Sequence, residues 1–107
     1  MKMNLFELPP ACGEEVTDVL WENGTLRVER IVSRGDVSPD GFWYDQAEDE
    51  WVSVLQGSAA LEFPEGREEL NPGDTVFLPA HRRHRVVFTS TEPPCIWLCV
   101  FGKKAQK

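Results

Sequence analysis

Short segments in which apolar and polar residues alternate, separated by turns rich in Gly and Pro, constrain the fold of this chain most. The segments recur about every eight to twelve residues, and the chain contains 8 Gly and 8 Pro. Alternation buries one face of a strand, and this spacing is typical of antiparallel sandwiches and barrels. We therefore predict an all-β fold. The predicted strands are 26–32, 51–55, 59–63, 75–78, 85–89 and 96–101, with an extended piece over 41–45.

The dipeptide Asn23-Gly24 predicts a hairpin before the strand at 26–32. A type I′ turn needs positive φ at both central positions, which Asn and Gly tolerate best. The preceding residues 14–22 fit two structures, because their apolar residues have helical spacing but also fit a strand that leads into the turn. We favour the strand.

Composition limits the classes of protein to which the chain can belong. Its 107 residues are enough for one domain, and 41% hydrophobic with 27% charged residues is typical of globular proteins. The net charge is 11 − 18 = −7, so we expect no binding to nucleic acid. No apolar run reaches the roughly 18 residues of a membrane span. The N-terminus has no extended apolar segment, so we expect no secretory signal.

The three cysteines do not predict a disulfide framework. Cys95 and Cys99 lie four residues apart in a predicted strand, which separates them by about 13 Å. That distance exceeds what a disulfide allows. We therefore expect buried free thiols and a reducing, cytoplasmic location.

Two segments stand out as candidates for chemistry. In the first, residues 41–57, Glu50 is followed after six residues by Gly57. In the second, residues 73–85, Gly73 is followed by five residues and Pro79, and His84 lies further on.

Together these segments resemble the two motifs of the cupin superfamily, and the resemblance covers roughly residues 31–101. The first motif has an HxH pair, four residues, Glu, six residues and Gly. The second has Gly, five residues, Pro, any residue, Gly, two residues and His. The resemblance implies a mostly antiparallel jelly-roll barrel of the double-stranded β-helix type. We expect a single domain over 1–107, with the barrel core at about 26–102.

The chain also departs from this pattern. The two histidines of the first motif would fall at Trp43 and Asp45, and His81 replaces the usual Gly of the second. The chain has 2 His, so the three-His, one-Glu metal site of the family is not formed. The position of His81 often needs positive φ, which His tolerates better than most residues.

A different metal site remains consistent with the residues present. Asp45 lies on an extended segment, an inward Glu50 would be costly to bury unpaired, and His84 would converge with them if it points into the barrel. With His81 from the loop, these four residues are the predicted ligands of one divalent Fe, Mn, Ni or Zn ion. Alternatively, Glu50 accepts hydrogen bonds from His84 and Tyr44 in a metal-free pocket. Asp45 can equally lie in a solvated turn, and His81 in an exposed loop.

Candidate substrate contacts surround this site, whereas the catalytic residues are left open. Trp43 and Tyr44 are aromatic platforms for a substrate, or else core or dimer contacts. Arg82 and Arg85 form an anion clamp at the barrel mouth, or else a solvated basic rim.

Two classes of function follow. The first is a metal-dependent enzyme, an oxygenase or isomerase, acting on a small anionic metabolite. The alternative is a non-catalytic binding or sensor module without metal, because fold alone does not choose a function. The chain has 4 Trp and 6 Phe, more aromatic area than a small core hides, so we expect a homodimer.

Overall fold

The computed structural model describes residues 2–103, which form eight β-strands and no helix. None of these residues forms a helix long and apolar enough to cross a membrane. The strands are β1 (Val16–Glu22), β2 (Leu26–Ser33), β3 (Glu48–Gln56), β4 (Ala59–Phe63), β5 (Gly66–Leu70), β6 (Thr75–Leu78), β7 (Arg85–Thr89) and β8 (Cys95–Lys103).

The strands form two antiparallel sheets that face each other. The larger sheet has the order β1-β2-β8-β3-β6, and the smaller has the order β5-β4-β7. All the strand pairs are antiparallel. The all-β prediction is confirmed. Most of the predicted strands are present too, including the one favoured for residues 14–22.

The core lies between the two sheets and consists of the inward residues of alternating strands. On β3, for example, Val52 and Val54 are buried, as the predicted alternation requires. The buried cluster contains Val52, Val54, Ala59, Leu61, Leu70, Leu78, Cys95, Trp97, Cys99 and Phe101.

The hairpin between β1 and β2 is confirmed, but the predicted type I′ turn is wrong. Gly24 has a φ of 90°, whereas His81 is the non-glycine residue with positive φ among residues 2–103. Instead, the side-chain oxygen of Asn23 accepts hydrogen bonds from the backbone N–H groups of Thr25 and Leu26, at 3.0 and 2.9 Å. This side-chain bond stabilises the turn in place of positive φ at Asn23.

Two segments differ from the strand prediction. β5 was not predicted, because residues 66–69 are exposed and Leu70 is its one buried residue. The extended piece over 41–45 forms a single bridge, between Tyr44 and His84, rather than a strand.

Residues 2–10 lie against the outer face of the larger sheet, where a buried arginine holds them. Arg30 projects outward from β2 and is 4% exposed. Its guanidinium donates hydrogen bonds to the carbonyl oxygens of Leu5 and Glu7, at 3.2 and 2.7 Å. It also forms an ion pair with Asp18 at 2.6 Å. These bonds satisfy a charge that would otherwise be costly to bury.

The cysteines of the described residues are free, as predicted: Cys95 and Cys99 are buried, and Cys12 is exposed. Burial raises the pKa of Cys95 to about 12, and burial near Glu50 raises the pKa of Cys99 as well. Both buried thiols therefore remain protonated at neutral pH.

Candidate functional site

A cavity of about 250 Å³ opens between the two sheets. Its volume equals that of about eight water molecules at roughly 30 Å³ each, so it accommodates a small molecule. Its walls are mostly apolar, with a few converging polar side chains, as is usual for ligand sites. The lining residues are Glu15, Thr17, Glu29, Ile31, Tyr44, Gln46, Glu50, Val52, Leu61, Leu78, His84, Val86, Trp97, Cys99 and Phe101.

Glu50 projects into this cavity from β3 and is 8% exposed. Its carboxyl group accepts a hydrogen bond from the side-chain amide of Gln46 at 3.2 Å. Burial raises the pKa of Glu50, although the bond from Gln46 partly opposes the shift. The protonated form of Glu50 is therefore more available near neutral pH than in water.

His84 enters the cavity from the smaller sheet, just before β7, and is 4% exposed. Its backbone pairs with that of Tyr44, whose ring stacks on the imidazole with centroids 5.1 Å apart. The ring atom Nδ1 lies 2.8 Å from the carbonyl oxygen of Arg82. A carbonyl oxygen only accepts, so Nδ1 carries the proton in the neutral ring and Nε2 has a free lone pair.

Burial lowers the pKa of His84, although its bond to the carbonyl of Arg82 partly opposes the shift. The imidazole is consequently neutral at physiological pH. Nε2 has no hydrogen-bond partner among the described residues. It is a proton acceptor on the cavity wall.

The structure places Tyr44 and Gln46, rather than Trp43 and Asp45, on the same face as Glu50. Residues share a face of an extended segment when an even number of positions separates them. Asp45 points to the surface, where it meets His81. Gln46, which donates to Glu50, was not predicted from the sequence.

Asp45 and His81 lie together at the protein surface instead of joining Glu50 and His84. The Nδ1 atom of His81 is 2.6 Å from a carboxylate oxygen of Asp45, and the two side chains are 65% and 54% exposed. The φ of His81 is 67°, which is the positive value expected at this position. The exposed-loop alternative therefore describes His81.

The four predicted metal ligands are thus divided between two places. Glu50 and His84 line the cavity, and Asp45 and His81 do not. Within residues 2–103, no group of three or more His, Cys, Asp or Glu side chains is arranged to hold a metal ion. In the cavity, Glu50 accepts a bond from the Gln46 amide. Two predicted ligands are fewer than the three protein ligands of a typical catalytic metal site, so the residues present do not fit a divalent metal.

The predicted anion clamp does not face the cavity either. Arg82 forms an ion pair with Glu65 at 2.6 Å, and its guanidinium lies 4.3 Å from the ring centre of Phe63. Arg85 pairs with Glu62 at 3.1 Å and donates to three backbone carbonyls, those of Phe42, Ser38 and Pro39.

Trp43 lies outside the cavity lining, where the guanidiniums of Arg83 and Arg85 are 5.1 and 5.9 Å from its ring centre. Of the candidate substrate contacts, only Tyr44 lines the cavity. Burial raises the pKa of its phenol, with smaller contributions from Glu15 and Glu50.

Several cavity residues were not identified from the sequence, and two of them are acidic. Glu15 precedes β1 and accepts a hydrogen bond from the hydroxyl of Ser33 at 2.7 Å. Glu29 lies on β2, the strand whose inward face also carries Ile31. The sequence does contain a signal for Glu29: it lies two residues from Ile31 in an alternating strand, so both side chains point to the same face. Glu15 lies outside the motifs and had no such signal.

The sequence profile of the cupin domain matches residues 28–101. The chain belongs to the cupin family. The match covers β3 to β7 completely and most of β2 and β8, so it includes the whole of the smaller sheet and every strand of the larger sheet except β1. No curated protein matches this cupin in sequence.

Solved structures agree with this assignment. This cupin is 41% identical to a protein of Ralstonia eutropha JMP134 described as a "putative mannose-6-phosphate isomerase", with a TM-score of 0.91 over 97% of this chain and 99% of that one. A cupin superfamily protein of Desulfitobacterium hafniense DCB-2 is 16% identical, with a TM-score of 0.75 over 91% and 84% of the two chains. KdgF from a Halomonas species is 19% identical, with a TM-score of 0.72 over 91% and 87%. The last two show the shared fold alone.

Proposed function

We propose that this cupin binds a small carbonyl compound between its sheets and moves a proton within it, as an isomerase does. The observation that carries the proposal is the placement of Glu50 and His84 on the two sheets that enclose one cavity, and the opposite directions of their pKa shifts support it. Burial favours a protonated carboxyl group on one wall and a neutral imidazole on the other. Such a pair provides an acid and a base at the same pH.

The proposed step uses both residues. Nε2 of His84 accepts a proton from the carbon next to the carbonyl, and the C–H electron pair becomes the C=C bond of an enol. The carbonyl oxygen takes the proton of Glu50 as the C=O π bond breaks. When the carbon that lost its proton carries a hydroxyl group, the intermediate is an enediol. His84 then gives its proton to the former carbonyl carbon as the C=C bond breaks, and the hydroxyl on the neighbouring carbon gives its proton to Glu50 and becomes the new C=O. This produces the isomer and restores both residues.

The likeness to the Ralstonia protein supports an isomerase rather than an oxygenase. That protein is 41% identical over nearly the whole chain and its description names an isomerase. Proton transfer between neighbouring carbons is the chemistry of sugar isomerisation. A metal-dependent oxygenase or isomerase, the other expectation from the sequence, would need more ligands than the two at the cavity.

Solvent exchange tests this proposal before any substrate is identified. We expect the protein in D₂O to introduce deuterium beside the carbonyl of small hydroxyaldehydes and hydroxyketones faster than buffer does, as measured by mass spectrometry. The rate should be unchanged by EDTA or by added Mn²⁺, Fe²⁺, Ni²⁺ or Zn²⁺, because the step uses no metal. Exchange that requires one of these metals, or no exchange above buffer, would contradict the proposal. Binding without exchange would favour the non-catalytic binding module.

We also propose that the chain forms a homodimer through the outer face of the larger sheet. One row of cross-strand neighbours on this face carries only apolar side chains. Its width is about 19 Å, from four strand spacings of roughly 4.8 Å. We call it the apolar row. It consists of Trp21, Val28, Val100, Trp51 and Phe77.

A second copy fits the apolar row better than a charged partner does. The chain carries a net charge of −7, but none of these five side chains is charged, so two copies can meet here without direct repulsion. Because each copy presents the same row, a two-fold axis pairs the rows with each other.

The free buried cysteines further support the proposed cytoplasmic location.

The apolar row predicts a specific loss of assembly. Light scattering should give about twice the 12.2 kDa chain mass. Phe77→Asp, at a side chain 59% exposed on β6, should raise the dimer dissociation constant at least about tenfold, because it buries an unpaired charge. Phe88→Asp is the matched control, since Phe88 is 45% exposed on the other sheet. A wild-type monomer, or equal effects of the two variants, would contradict the proposed interface.

A further inference from the structure

The acidic and basic side chains that line the cavity, His84 apart, are all acidic within the described residues. They are Glu15, Glu29 and Glu50, of which burial favours the protonated form of Glu50, and no Lys or Arg contributes to the lining. His84 adds no positive charge, because burial keeps its imidazole neutral. A ligand in this cavity therefore meets carboxyl groups and no cationic side chain.

Arg27, which pairs with Glu29 of the cavity wall, does not supply a free positive charge to the ligand. Arg27 donates to Glu29 at 2.6 Å and also to both carboxylate oxygens of Glu48, at 3.2 and 3.0 Å. Its guanidinium lies 4.4 Å from the ring centre of Phe101. Two carboxylates and an aromatic ring thus occupy this cation. Arg82 and Arg85 are held by Glu65 and Glu62, as described above.

The free polar atoms of the cavity favour donors on the ligand. Nε2 of His84 is an acceptor, and carboxylate oxygens accept as well. A hydroxyl group satisfies such atoms by donating to them. A phosphate or carboxylate group, by contrast, has no cationic partner here and lies near like charges in an apolar cavity, where repulsion is weakly screened.

We propose that the cavity selects uncharged, hydroxyl-bearing carbonyl compounds and rejects their phosphorylated counterparts. This rests on the proposed function for the carbonyl group, whereas the charge preference rests on the acidic lining alone. It differs from the anionic metabolite expected from the Arg-rich segment of the sequence. The proposed ligand class also differs from the phosphorylated sugar named in the description of the Ralstonia protein.

Matched pairs of probes test the selectivity. Dihydroxyacetone, glyceraldehyde, mannose and fructose would each be compared with its phosphate ester by calorimetry and by the change in tryptophan fluorescence, to which Trp97 of the cavity wall contributes. We expect at least one uncharged probe to bind, and its phosphate ester to bind at least tenfold more weakly. Glu15→Gln should reduce the ratio of the two dissociation constants, phosphate ester to uncharged probe, at least threefold. The amide of Gln keeps an acceptor for Ser33 but removes a charge. Glu68→Gln, on the exposed β5, should leave the ratio unchanged.

The outcomes also separate the two proposals. Equal or tighter binding of the phosphate ester, or binding by no uncharged probe, overturns the selectivity. Binding of an uncharged probe without deuterium exchange supports the selectivity and contradicts the isomerase proposal. Deuterium exchange confined to phosphorylated probes supports the isomerase proposal and contradicts the selectivity.

Discussion

Replacing His84 with Asn is expected to lower the rate of deuterium exchange about 10²- to 10⁴-fold, the usual contribution of a positioned acid or base. The amide of Asn retains a donor for the carbonyl of Arg82 but has no equivalent of Nε2. Glu50→Gln should cause a similar loss, since it keeps the size of the side chain and removes the proton that the carbonyl oxygen receives. Both rates would be measured with the uncharged probes at pH 7.5.

The other histidine provides the control for these variants. His81→Asn changes an exposed side chain that does not line the cavity, so it should retain at least half of the wild-type rate. Circular dichroism would confirm that each variant is folded. A folded His84→Asn protein with the wild-type rate would exclude His84 as the base.

Gly57→Ala is expected to destabilise the fold by about 2–5 kcal/mol. Gly57 has a φ of 75°, and an added Cβ would lie 2.4 Å from the side-chain oxygen of Ser90, 2.9 Å from the carbonyl oxygen of Pro94 and 3.0 Å from the Cα of Cys95. The left-handed conformation costs an Ala about 1–2 kcal/mol, and overpacking adds about 1–3 kcal/mol. The melting temperature should fall by more than about 10 °C.

Gly73→Ala separates the two contributions. Gly73 has a φ of 93°, but an added Cβ would meet no atom within 4 Å. This variant should therefore lose only the conformational contribution of about 1–2 kcal/mol. Equal melting temperatures for the two variants would show that the close contacts at Gly57 relax without cost.

The fold was largely predictable from the sequence because its information is local. Alternation of apolar and polar residues on β2 and β3, and the Gly and Pro turns, each mark a strand from its own residues. β5 was missed because its residues are charged and its pairing with β4 depends on a partner strand rather than on a buried face. The role of Arg30 depends on contacts with carbonyls of Leu5 and Glu7, more than 20 positions away, which no local pattern contains.

The candidate site was predicted less completely. Glu50 and His84 were found because each has a fixed position in a motif. Asp45 was misplaced because the chain between it and β3 is not a strand, so the motif spacing does not fix the direction of its side chain, which meets His81 at the surface. The roles of Arg82 and Arg85 depend on Glu65 and Glu62, two acidic residues on the neighbouring β4–β5 hairpin or its turn. Only the folded structure brings these charges together.

The state of His84 in the free protein is the most direct test of the account. The chain has 2 His, so ¹⁵N NMR of the imidazoles, with His81→Asn for assignment, resolves both. Burial lowers the pKa of His84 in the folded protein below its ordinary value of about 6.5. The neutral imidazole therefore contributes fully to the stability of the fold above pH 6.5. That contribution is lost as the pH falls through the pKa of His84 in the folded protein. We predict titration below pH 6.5 from a neutral ring protonated at Nδ1. Titration at or above pH 6.5, or a neutral ring protonated at Nε2, would contradict the assignment of His84 as the base.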